Sequence, residues 1–150
     1  MNLSNKRTAL VIIIGLLWVI ITVLGWKNQF MPGLYLSVVL MLLHMMLGSA
    51  SKGRLDARFL LYPLGIWAVL WVVSFGLSKY FSDAFMGGMP DFTILGFHPS
   101  FAFTILTYWL GGVATLSLGF ILLKDTWLSA KDWDEFKKTI AELQKQEGAK

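Results

Sequence analysis

From Ser100 to Leu123 the chain runs for 24 residues without a charged side chain. At a rise of about 1.5 Å per residue this makes a helix of about 36 Å, enough to cross the hydrocarbon of a bilayer. The rest of the chain is therefore arranged around a membrane-spanning helix. Within it Thr107, Gly111, Thr115 and Gly119 recur at every fourth position, flanked by Gly112 and Ala114. Four small side chains then stack on one helical face. Lipid packs as well against leucine as against glycine, so a small-residue face is a helix-packing interface. Its partner helix lies either in another subunit or in this same chain.

Of 150 residues, 56% are hydrophobic and 15% charged, and the charges gather at the start, in two short central segments and in the last 27 residues. The fold class that follows is all-α: an integral membrane four-helix up-and-down bundle over 1–124, then a C-terminal cytoplasmic amphipathic helix within 125–150. The spans are expected at about 8–26, 34–50, 59–77 and 100–123. Without cysteine, disulfides, thiolate metal sites and cysteine nucleophiles are excluded. A net charge of +4 is what Lys and Arg beside membrane spans produce, and it gives no reason to expect a nucleic-acid partner.

Lys6 and Arg7 precede the first apolar block, which is long for a signal peptide and ends in Trp26, Lys27 and Asn28 in place of a small-residue cleavage site. It reads as an uncleaved span. Met31, Pro32 and Gly33 read as the turn into the second span, where His44 shares a face with Met41, Met45 and Gly48. An intramembrane imidazole is either a polar site, serving as haem b ligand, quinone contact or proton carrier, or a neutral ring hydrogen-bonded to a neighbouring helix. The third span carries Pro63 near its start and Trp67 and Trp71 one turn apart, a spacing that suits packing. Residues 78–99 read as the longest connection, with apolar Phe92–Phe97 lying on or dipping into the interface.

Sidedness follows from the basic residues. Lys6, Arg7, Lys52, Arg54, Arg58, Lys124 and Lys131 fall on one side, Lys27 and Lys79 on the other. Both termini are expected in the cytoplasm, which makes this a multi-pass protein of the cell inner (plasma) membrane. In the tail, Ser129 reads as an N-cap with Asp132 three residues on, and Leu128 as a staple onto Trp133. Trp133, Phe136, Ile140 and Leu143 then form an apolar seam for docking on a partner, while Lys131 with Glu135 and Asp134 with Lys138 pair along the polar face.

Between Arg58 and Lys124 a tryptophan-rich helix ends in Val73, Ser74, Phe75 and Gly76, a loop follows, and Ile94, Leu95, Gly96, Phe97 and Pro99 open a second helix. This order resembles the small subunit of bacterial sodium/solute symporters, over 67 of the 150 residues. The resemblance implies a short helical hairpin with cytoplasmic ends that accompanies a large transport subunit. Two further N-terminal spans, His98 before the proline and a longer tail are additions to that pattern.

The spans contain no Asp or Glu, so neither a serine triad nor a carboxylate proton relay can be built in them, and no P-loop or metal-ligand spacing occurs. The expectation is a non-catalytic accessory subunit of an ion-coupled secondary solute transporter, with no cofactor and no metal. Its partners are the bilayer and either a large polytopic membrane subunit or a second copy of itself. The alternatives are a redox-complex anchor holding haem b or quinone through His44, and a structural or assembly protein.

Overall fold

Each apolar block forms a helix, because in hydrocarbon every backbone amide must find its acceptor within its own segment. The computed structural model describes residues 2–86 and 88–147, and among these no strand forms. Gly87 of the long connection and residues 148–150 of the tail lie outside the described residues. Four helices are long and apolar enough to cross a membrane: α1 (Arg7–Trp26), α2 (Phe30–Gly48), α3 (Ala57–Ala84) and α4 (Pro99–Leu122). A short α5 (Lys124–Trp127) and the tail helix α6 (Ala130–Glu147) follow.

Helix ends differ from expectation where local chemistry outweighs the apolar pattern. The second span begins at Phe30 instead of residue 34, so Pro32, expected in the turn, sits at the third helical position. An amide there has no intrahelical acceptor, and proline loses nothing. The reversal is made earlier by Asn28, at φ 57°, with its N–H donating to the Gly25 carbonyl at 3.1 Å. Asparagine tolerates that left-handed conformation. α3 starts behind Asp56, whose carboxylate accepts from the Arg58 and Phe59 amides at 2.7 and 3.3 Å. It then runs on to Ala84, seven residues past the expected end at residue 77, across the Lys79–Asp83 pair one turn apart.

The connection is thereby shortened to 85–98. Inside it Leu95 and Gly96 take φ 53° and 80°, and Ile94 and Phe97 exchange two backbone hydrogen bonds of 3.0 Å. Two consecutive left-handed residues make the tight turn favoured in hairpins. Phe92 packs edge-on against Phe81 and Phe85 at the end of α3.

Each spanning helix packs against the next in sequence: α1 on α2, α2 on α3, α3 on α4. Pro63 lies inside α3, where a widened turn over Leu60–Ile66 absorbs its missing amide. Two more widened turns occupy Thr104–Leu110 and Val113–Ser117 of α4. There the Thr107 and Thr115 hydroxyls donate to the Phe103 and Gly111 carbonyls at 2.7 Å, competing with backbone amides for the same acceptors.

Candidate functional site

The small-residue face of α4 is turned toward α3. A Cβ placed on Gly119 would lie 2.6 Å from the Pro63 ring, and one on Gly111 2.8 Å from Leu70 Cδ1. Thr115 and Gly119 are buried, and Thr107 and Gly111 half-buried. The partner helix, left open by the sequence, is thus one of the chain's own. Polar clasps line the same seam: Tyr62 donates to the Ala114 carbonyl at 2.9 Å, and Ser78 to the Ser100 carbonyl at 2.8 Å. Between them Trp71 stacks on Tyr108 with ring centres 4.0 Å apart and packs on Trp67 at 4.6 Å. Both indole N–H groups are buried without a partner among the described residues. Nothing in the residue pattern signals this ring stack, because Tyr108 comes from the other helix.

His44 lies on the exposed side of α2. Its Nδ1 is 2.8 Å from the Leu40 carbonyl one turn earlier in the same helix, and not against a neighbouring one. As donor there, Nδ1 carries the proton and Nε2 is left as the acceptor. His98 is engaged elsewhere: it caps α4, its Nδ1 accepting from the Ser100 amide at 3.2 Å. Among the described residues no three His, Cys, Asp or Glu side chains come together as a metal site.

The tail begins with a reciprocal cap. Ser129 Oγ donates to Asp132 at 2.6 Å and accepts from the Asp132 amide at 3.2 Å, while the Ser129 amide donates to the same carboxylate at 3.3 Å. Lys52, in the loop before α3, reaches Asp132 at 3.4 Å and ties the start of α6 to that loop. The Ser129 hydroxyl holds the Asp132 carboxyl below its ordinary range against the opposing effect of desolvation, and Lys52 adds a lesser pull in the same direction as Ser129. Along α6, Lys131 pairs with Glu135, whereas Asp134 takes Lys137 at 2.8 Å in place of the expected Lys138. Trp133, Phe136, Ile140 and Leu143 share one exposed face, with the first two rings stacked at 5.5 Å.

Comparison with known proteins found no matching family, no matching curated protein and no matching solved structure.

Proposed function

We propose that this chain is a non-catalytic accessory subunit of an ion-coupled secondary solute transporter. It is an up-and-down bundle of four spans in a bacterial inner membrane, with both termini and the amphipathic tail in the cytoplasm. It acts by contact, holding or regulating a large polytopic transport subunit. The observation that carries this reading is how the surface is divided. Residues 58–124, which resemble the small symporter subunits, use their small-residue face on each other. That leaves exposed apolar faces on all four long helices for bilayer and partner, among them Ile12, Leu16 and Val19 of α1, Val39 of α2, Val69 of α3 and Leu110 of α4. The tail seam is the docking element outside the bilayer.

One observation favours a second reading, a redox anchor holding haem b. His44 is exposed and its Nδ1 is fixed by the Leu40 carbonyl, which presents Nε2 as a metal-ligating imidazole is presented. With His98 engaged in its cap, the second axial ligand would come from another chain. Isolation of the tagged chain in mild detergent, followed by identification of co-isolated proteins and an absorbance scan, tests both readings. A polytopic transporter without a Soret band supports the first. A Soret band lost in His44→Ala supports the second, and neither result leaves a structural or assembly protein.

A further inference from the structure

The apolar seam of α6 is narrow and regular. Trp133, Phe136, Ile140 and Leu143 follow at intervals of three, four and three, the a and d positions of two successive heptads. They are exposed by 49%, 52%, 37% and 50% in that order, a bare apolar strip that water does not tolerate unpartnered. In the same heptad numbering Lys131, Lys138 and Lys145 all fall at f, on the pole opposite the seam. A helix floating on an anionic bilayer carries its lysines beside the apolar face, where they reach lipid phosphates. Here the flanks hold Asp132, Lys137, Thr139, Gln144 and Gln146. A seam of two positions per heptad, with three of the helix's four lysines turned away from it, takes another helix.

We propose that this helix is the α6 of a second copy, joined in a parallel two-stranded coiled coil. Charge selects the occupant. Asp132 occupies g and Lys137 the e position five residues on, the separation at which g of one strand meets e of the other in parallel register. Asp132 keeps one carboxylate oxygen in the Ser129 cap; the other, whose pair with Lys52 is exposed and 3.4 Å long, is the one that takes the partner's Lys137 on both sides of the twofold axis. The next such pair, Thr139 and Gln144, is neutral and hydrogen-bonding. Antiparallel strands set e against e and g against g, and lose the match. In the second heptad Ile140 at a and Leu143 at d are the combination that favours two strands, while Trp133 and Phe136 hold a and d of the first. Lys137 is free to change partner, because its pair with Asp134 is exposed and such pairs are weak.

Two heptads are short for a coiled coil free in water. Two chains inserted the same way in one bilayer, however, deliver their tails to the same side at high effective concentration, and a twofold axis along the membrane normal sets like residues opposite. The pairing rests on the tail being a docking helix and is independent of which transport subunit the chain accompanies.

Single cysteines in the purified full-length chain, which has none of its own, test the proposal in phosphatidylcholine vesicles. Under mild oxidation Leu143→Cys is expected to give roughly tenfold more disulfide-linked dimer than Lys138→Cys, since Cα atoms more than about 7 Å apart cannot be bridged. Lys137→Glu, which sets acid against acid, lowers the Leu143→Cys yield several-fold, while Lys137→Arg preserves it. Equal yields at 143 and 138 mean random collision and overturn the proposal. So does cross-linking of Phe136→Cys chains to Ile140→Cys chains with none at Leu143→Cys, which means antiparallel strands. So does the absence of any dimer together with shielding of Leu143→Cys from an aqueous maleimide, which places the helix on the lipid surface. In each overturning case, a transporter that still co-isolates with the chain leaves the accessory reading standing.

Discussion

At the scale of single residues, the start of the tail is closed by a reciprocal cap. Ser129 and Asp132 satisfy each other's amides, so Ser129→Ala is expected to fray the first turn of α6 at a cost of about 1 kcal/mol, seen as faster amide hydrogen exchange at 130–133 with the spans unaffected. Acid acts on the same joint. The folded-state Asp132 value is depressed, so its contribution is full above the ordinary carboxylate range and is lost as pH falls through the depressed value. Exchange that is unchanged both by the substitution and by acid would show that the cap contributes nothing. This cap was legible because its donors and acceptors lie within four residues. The choice of Lys137 over Lys138 as partner of Asp134 was not, because both spacings lie along one helical surface. Nor was the reversal at Asn28, because Pro32 suits a turn and the first turn of a helix equally well.

At the scale of elements, the four long apolar helices were legible from the uncharged blocks at their centres, but their ends and their widened turns were not. An apolar run says nothing of a carboxylate cap at Asp56, or of threonine hydroxyls that take carbonyls inside α4. The small-residue face was legible as a face, while its neighbour was known only once α3 was placed against it. A graded test follows from what each new methyl group meets. On Gly119 it strikes the Pro63 ring, with the Pro63 backbone only 3.4 Å away, so Gly119→Ala is expected to cost about 1–3 kcal/mol. On Gly111 it meets the end of the Leu70 side chain, which can swing aside, so the same substitution costs less there. On Gly112 it meets nothing within 4 Å and is expected to be nearly neutral. Thermal unfolding in detergent should rank the three in that order; Gly112→Ala as damaging as Gly119→Ala would mean that α4 does not pack on α3 through this face.

At the scale of the whole molecule, three segments distant in sequence meet at one end of the helices. The Leu3 amide donates to the Gly53 carbonyl at 2.8 Å, and Leu3, Leu55, Phe59 and Leu64 form a buried cluster against which Phe120 and Trp127 pack. Lys52 adds its link to Asp132. An even number of spans already requires the N-terminal lead, the 51–58 loop and the tail to share a side, which is why that grouping was legible; the contact between Leu3 and Gly53 was not, since no spacing in the chain encodes it. This end carries Lys6, Arg7, Lys52, Arg54, Arg58, Lys124 and Lys131, whereas the opposite end has Lys27 and a Lys79 paired with Asp83. Retention of basic residues on the cytoplasmic side acts on that imbalance and sets the expected orientation. Ser82 and Lys138 are both exposed, at opposite ends. In intact cells an impermeant maleimide should therefore label Ser82→Cys, and should reach Lys138→Cys only after the membrane is permeabilised. The reverse pattern would invert the protein and place α6 outside the cell, where a tail that docks on the cytoplasmic face of a transporter has nothing to bind, although two tails would still be able to pair with each other.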